Sequence, residues 1–312
     1  MKKILITGAR GFIGRHLAKH LFNKGNQVVG LGHGAWSEID SAKWGITSWL
    51  NGDVTRQNID IILKNLGRID YVYHLAGGSS VGPSLITPME DFQRSVNSTL
   101  EVLEWARLSQ QKTMLVLASS AAVYGNKHSV PISTNSVPNP GSPYGVHKAI
   151  AEQLFISYGK SFGVNGAIVR LFSVFGPELR KQLLWDCCNK LQNNPIELIL
   201  GGTGKEVRDW ISSRNAIDII DQISYTSSPE CPIFNAGTGI GTTIEIVANE
   251  ICQAWGKKIN VRFTGISRSG DPEYLVANMS SNIKLINNPN FEFKLGVSEY
   301  VSWYKQSIQT NS

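Results

Sequence analysis

The sequence predicts an α/β fold: a doubly wound parallel sheet over residues 1–168, then a smaller mixed α/β domain built mainly from residues 169–312. Three observations predict it. An apolar strand runs into three glycines spaced three apart and then into a helical pattern. Strand and helix patterns go on alternating through the first half. Finally, 312 residues with 42% hydrophobic and 17% charged side chains suit a globular chain long enough for one large α/β domain and a smaller one.

The opening strand is Ile4-Leu5-Ile6, the turn carries Gly8, Gly11 and Gly14, and Arg15–Phe22 has apolar positions at helical spacing. Gly8 takes the backbone angles of a tight turn. Gly11 lets N–H groups close on a pyrophosphate, and Gly14 lets the helix pack on the strand, so that an anion sits at the helix's positive end. The ligand this predicts is a dinucleotide.

The second strand, Gln27–Leu31, ends at Gly32-His33-Gly34, where a fold that prefers NAD carries Asp or Glu for the ribose hydroxyls. A carboxylate there would repel a 2′-phosphate by roughly 4 kcal/mol at about 4 Å and an effective dielectric near 20. Its absence favours NADP, with NAD the alternative, and Arg10 and His33 are the nearest cations to face the phosphate. A third strand ends at Gly52. Asp53 beyond it either accepts from the adenine amino group or caps the following helix. The fourth strand begins at Asp70 and runs through His74 into the small residues Ala76, Gly77 and Gly78, against which phosphate and ribose can lie. A long helix starts near Pro88 or Met89, apolar at Val96, Leu100, Leu103 and Ala106.

The fifth strand, Thr113–Ala118, delivers Ser119 and Ser120 to the carboxyl edge of the sheet, where open α/β sheets bind ligands. After a proline-rich loop, Tyr144 and Lys148 stand four apart, one turn over the other on a helix face. An ammonium beside a phenol favours the phenolate, as proton exchange near neutral pH requires, and Ser120 can bond the same substrate oxygen.

With these motifs in place the chain resembles the extended short-chain dehydrogenase/reductases, specifically their nucleotide-sugar epimerase, dehydratase and reductase group, whose nucleotide domain is Rossmann-type. The resemblance runs over nearly the whole length. It implies a cofactor motif at Thr7–Gly14 that includes Phe12 and Ile13, an adenine contact at Asp53 and Val54, a strand end at Leu75, Ala76 and Gly77, and Asn97 supporting the cofactor. It also implies a catalytic triad of Ser120, Tyr144 and Lys148. In such enzymes the tyrosine moves the proton at a sugar hydroxyl or ketone, the nicotinamide moves the hydride, and the lysine also grips the cofactor ribose.

In the second half, Val169–Pro177 resembles the strand and loop that open the sugar-nucleotide site, with Ser173 where many relatives carry Asn. Gly201–Ile211 and Arg268–Pro272 resemble segments whose arginines, here Arg208 and Arg268, hold the substrate diphosphate. Two guanidiniums can clamp a diphosphate through paired hydrogen bonds. Residues 215–237 are expected to return to the nucleotide domain, and Arg180, Lys181 and Gln182 receive no role.

Dehydratases of this group place an Asp-Glu pair directly after the catalytic Ser or Thr, and Ala121-Ala122 here argues against dehydration. Two reactions remain. The expected one is reduction of a 4-keto-6-deoxy sugar nucleotide by NADPH with Tyr144 as proton donor, because Gly32 leaves no acid to exclude the 2′-phosphate. The alternative is 4-epimerisation with tightly held NAD, since Ser119–Gly125 looks epimerase-like. A third class, a non-catalytic NADP-binding regulator, is opposed by the intact Ser120, Tyr144 and Lys148 set.

A net charge of +6 and a pI near 9.1 raise nucleic acid as a partner, but the cations are scattered, and polyanionic small ligands fit better. No apolar run is long enough to span a bilayer and the first one breaks at Thr7-Gly8, so a cytoplasmic protein that binds no membrane is expected. Cys187, Cys188, Cys231 and Cys252 lack paired C-x-x-C spacing and read as reduced and structural. His16 and His20 share a helix face, but with no carboxylate beside them in sequence no metal is expected. The resemblance implies a homodimer with a four-helix interface formed by residues 89–108 and 144–158.

Overall fold

In the computed structural model, which describes residues 1–109, 112–266, 272–280 and 293–309, the alternation expected of the first half is realised. It runs β1 (Lys3–Thr7), α1 (Phe12–Asn23), β2 (Gln27–Gly32), α2 (Glu38–Lys43), β3 (Ser48–Asn51), α3 (Arg56–Leu66) and β4 (Tyr71–His74). Then come α4 (Val81–Ile86), α5 (Pro88–Phe92), α6 (Ser98–Leu108), β5 (Met114–Ser120), α7 (Pro143–Phe162) and β6 (Gly166–Leu171). The second half adds β7 (Ser173–Phe175), α8 (Gln182–Asn193), β8 (Glu197–Leu200), β9 (Val207–Ser212), α9 (Ser213–Ser224) and β10 (Ile233–Ala236). It finishes with β11 (Gly241–Thr243), α10 (Ile244–Trp255), β12 (Asn260–Phe263), β13 (Tyr274–Leu275) and α11 (Phe293–Gln309).

Two compact units result. The first comprises residues 1–125, 134–171 and 217–236. Its seven strands are all parallel, in the order β10-β6-β5-β4-β1-β2-β3. Strands β5 and β6 are buried almost throughout, as continuous apolar runs covered on both faces must be. Leu5, Val72, Leu115, Leu117 and Ile168 form the centre of one hydrophobic core with Val102 and Leu103 of α6 and Phe155 of α7. The strand order reverses at β1, so the carboxyl ends of β1 and β4 flank the crevice in which such sheets take ligands.

Local chemistry explains the helix that carries most of the site. Ser142 caps α7 by accepting from the Gly145 N–H at 3.2 Å, Pro143 occupies the first turn, and Gly163 ends the helix at φ 68°. Two expectations change. The long helix from Pro88 is broken by a π turn at Gln93–Asn97, so α6 buries Thr99, Val102, Leu103 and Trp105 and leaves Leu100 exposed. One extra residue in the π turn rotates the following face, which the expected stripe at Leu100 and Ala106 did not include. Asp53 caps nothing: Thr55 is the N-cap of α3 and accepts from the Asn58 N–H.

The second unit comprises residues 126–133, 172–216 and 237–312. Strand β9 pairs antiparallel with β11 and parallel with β13 and β7, while β8 and β12 form a separate parallel pair. Its anchor is Asp209, fully buried on β9. The carboxylate accepts from the Thr238 N–H and hydroxyl, each at 2.7 Å, from the Gly239 N–H at 2.9 Å and from the Ala277 N–H at 3.1 Å. No described helix is long and apolar enough to cross a membrane. All four cysteines are free and buried.

Candidate active site

The glycine turn has the shape expected of it. Gly8 sits at φ 71°, and a Cβ on it would lie 2.9 Å from the Ala76 nitrogen, so only glycine lets β1 exit this close to the end of β4. A Cβ on Gly14 would lie 2.3 Å from the Gly8 carbonyl oxygen. Gly11 is the N-cap of α1 and carries no capping side chain, and no acid lies in the first turn, so the first N–H groups, those of Phe12 and Ile13 among them, are left for an outside acceptor. Leu75, Ala76 and Gly77 are half-buried across the crevice and Val54 is buried. A pyrophosphate fits these residues.

At the tip of β2 the two cations meet different partners. His33 Nε2 lies 2.9 Å from Asp53 Oδ1, both side chains exposed, so Asp53 brings a carboxylate beside the imidazole that was expected to face a phosphate. Arg10 folds over Gly34. Trp49 closes the tip, its indole N–H donating to the Gly34 carbonyl at 3.1 Å. Asn97 lies exposed at the end of the π turn.

Ser120 ends β5, and its Oγ accepts from the Ala122 N–H at 3.2 Å. The same hydroxyl lies close enough to the Tyr144 phenol to favour its ionised form. The Tyr144 N–H donates to Ser84 Oγ at 3.1 Å, which pins the first turn of α7 to α4. Lys148 is 5% exposed, and its Nζ donates to the Ala118 carbonyl at 3.0 Å. The three side chains meet at the carboxyl edge of β5.

The electrostatics differ from the expectation. Burial raises the Tyr144 phenol above its ordinary value, the nearby Ser120 hydroxyl opposes this, and the Asp91 carboxylate adds to it. Burial pushes the Lys148 ammonium down to about 8, against the pull of Asp91 and Glu152. The expected lowering of the phenol by Lys148 is absent because the ammonium is turned to a backbone carbonyl.

Several polar residues at the site drew no attention in the sequence. Glu152 accepts from Ser119 Oγ at 2.5 Å and takes a two-pronged contact from Arg170, at 2.9 and 2.7 Å. Arg170 also lies over the Tyr124 ring, 4.6 Å from its centroid. His74 is fully buried between Thr7 Oγ1 at 2.7 Å and Thr99 Oγ1 at 3.1 Å, and burial pushes its ring down to about 3. His147 meets Asp91 at 2.6 Å, both buried. The available signal was spacing: Tyr144, Lys148 and Glu152 recur every four residues on the face of α7 that has to pack against the sheet. His20 also gains carboxylates that its neighbours in sequence did not offer, Asp221 at 2.9 Å and Asp218 at 3.7 Å, both from α9. Lys24 shares Asp221, and no group of metal-binding side chains forms among the described residues.

In the second unit Ser173 begins β7 opposite Trp210 of β9. Arg208 lies two residues earlier on β9, and its Nη1 donates to the Val207 carbonyl at 3.0 Å. Arg268 lies outside the described residues.

Known proteins resemble this chain along most of its length. The UDP-glucose 4-epimerase of Azospirillum brasilense is 27% identical over 297 residues, covering 88% of this chain and 83% of the relative. The CDP-paratose 2-epimerase of Salmonella typhi is 25% identical over 340 residues, covering 96% and 98%. Among solved structures, the UDP-glucuronic acid 4-epimerase of Bacillus cereus, in complex with UDP-glucuronic acid and NAD, superposes with a TM-score of 0.86 at 25% identity and covers 98% of this chain and 99% of its own. The profile of the NAD dependent epimerase/dehydratase family matches residues 4–237, and the chain belongs to that family.

Proposed function

We propose that the protein is an NAD-dependent nucleotide-sugar 4-epimerase, the alternative reading of the sequence. The observation that carries this is the meeting of Ser120, Tyr144 and Lys148 at the carboxyl edge of a parallel sheet entered through a glycine turn, in a chain that matches sugar-nucleotide epimerases over 88–98% of its length. The nicotinamide cofactor, when bound, supplies a hydride acceptor and donor at a sugar carbon. Gly8, Gly11, Phe12, Ile13 and Gly14 would hold its pyrophosphate, and Asp53 and Val54 would contact the adenine. Leu75, Ala76, Gly77, Asn97 and Lys148 would hold its ribose and nicotinamide end.

Tyr144 removes the proton from the sugar 4-hydroxyl as that carbon is oxidised and returns it when the ketone is reduced on its other face. Ser120 donates to the same oxygen and keeps it within reach of the phenol. Ser173, Arg208 and Arg268 hold the nucleotide diphosphate. Lysine and arginine near a diphosphate also give the net positive charge a use.

The reductase reading is kept as the second, because position 32 itself carries no acid and Arg10 lies over Gly34 two residues on. It loses ground because Asp53 faces His33, so the imidazole meets a carboxylate where a 2′-phosphate would need a free cation. The test is to denature the purified protein, identify the nucleotide released, and then incubate the protein with UDP-hexoses and with NADPH plus 4-keto-6-deoxy sugar nucleotides. Retained NAD and interconversion of 4-epimers are expected. Exchangeable NADPH consumed by a ketosugar would replace this reading with the reductase.

The protein is further proposed to form a homodimer through α6 and α7. Helix α7 is apolar on both sides: Ala151 and Phe155 face the core, while Val146, Ile150 and Leu154 line an open groove with Pro138 and Pro140.

A further inference from the structure

Two consecutive glycines at the exit of β4 seat two opposite charges. A Cβ on Gly77 would lie 3.0 Å from Lys148 Nζ, and one on Gly78 would lie 1.8 Å from Asp91 Oδ1. Adjacent Cα atoms are about 3.8 Å apart, so the buried ammonium and the buried carboxylate are held on neighbouring steps of the backbone. The other carboxylate oxygen, Oδ2 of Asp91, meets His147 Nδ1 at 2.6 Å. The His147 ring is fixed edge-on by Phe92, at 5.3 Å between centroids. His147 stands between Tyr144 and Lys148 in sequence, so α5 grips α7 at the two residues that carry the proposed chemistry.

We infer that Asp91, tempered by its bond to His147, is a positioning counter-charge for the Tyr144–Lys148 pair: seated one backbone step from the ammonium, it fixes how readily the phenol releases its proton. The inference rests on the proposed role of Tyr144, but its test needs no sugar. Asp91 favours the protonated form of both Tyr144 and Lys148. The other charged or titratable groups around the cluster are Glu152 on α7, which acts on Lys148 in the same sense, and His74 on β4, whose ring is pushed down by burial first and by Lys148 second. Arg94 is exposed and paired with Glu90. His147 draws off part of the Asp91 charge, so the two partners act on the phenol with opposite signs.

Ionisation of Tyr144 can be read as the ultraviolet tyrosinate difference between the parent protein and Tyr144→Phe. Asp91→Asn is expected to move the midpoint down by roughly one pH unit, and His147→Leu, which has no donor, to move it up. His147→Asn, whose amide can still donate to the carboxylate, is expected to restore it. In the double variant Asp91→Asn/His147→Leu the effect of His147 vanishes. Midpoints that move together, or do not move, overturn the inference, since a pair that only braces the helix has no reason to act with opposite signs. In the unaltered protein, NMR is expected to show a slowly exchanging His147 ring N–H, and its absence overturns the pairing without relying on any variant to fold. Opposed midpoint shifts in a protein that epimerises no sugar would defeat the proposed reaction and leave this inference standing.

Discussion

Tyr144→Phe removes one hydroxyl and keeps the ring, with the backbone bond from residue 144 to Ser84 untouched. Turnover is expected to fall by about 10³-fold or more, the range of general acid–base contributions, with NAD affinity nearly unchanged. Interconversion of UDP-hexoses and fluorescence titration of the cofactor check this, and retained turnover removes Tyr144 from proton transfer. Lys148 makes a second prediction at the same scale. Its ammonium has a folded value of about 8 against an ordinary value of 10.5, so the unfolded chain binds more protons between these limits. Stability therefore rises with pH across that window, and the burial cost, about 3 kcal/mol, is fully present below pH 8. Lys148→Met is expected to raise the Tm of the cofactor-free protein at pH 7 and to lose that advantage towards pH 10.5. Calorimetry across this range checks it, and equal melting at pH 7 contradicts it. Gly32→Asp, by contrast, is a poor probe of cofactor choice. Gly32 has φ 156°, and a Cβ there would lie 3.2 Å from the Trp49 ring, so the substitution strains the tip of β2 whatever it does to a phosphate.

Elements fix these residues through buried polar contacts. The Arg170–Glu152 pair ties β6 to α7 and, through Ser119, to the end of β5 that carries Ser120. Removing one partner leaves a buried charge uncompensated, so Glu152→Ala is expected to cost about 3–5 kcal/mol in denaturant unfolding. In β9, Asp209→Ala orphans three backbone N–H groups and a hydroxyl, and a loss of several kcal/mol is expected in the unfolding of the second unit. A change below about 1 kcal/mol at either position would show that water replaces the lost partner. Such contacts were only partly legible in the sequence. Tyr144 and Lys148 could be read because one helix sets their spacing, whereas Asp91 and Arg170 reach the site from elements 56 and 18 residues away from their partners. The π turn at Gln93–Asn97 has no counterpart in hydrophobic periodicity, and it shifted the buried face of α6.

At the scale of the molecule, Ile150→Glu puts a charge in the middle of the apolar groove along α7. If that face joins two copies, the variant is expected to elute as a monomer while the parent elutes as a dimer, with light scattering as the check. A parent that is monomeric at all concentrations ends the homodimer proposal. The sequence by itself determined the parallel sheet, the glycine turn at the end of β1 and the one-turn spacing of Tyr144 and Lys148, because each depends on residues close in the chain or on strand and helix periods that composition cannot disguise. Tertiary structure alone decided which charges face one another. His33 meets Asp53, Lys148 turns to Ala118, and Asp91 joins His147, since a Coulombic partner is chosen by the distance between folded elements and one-dimensional order does not record that distance.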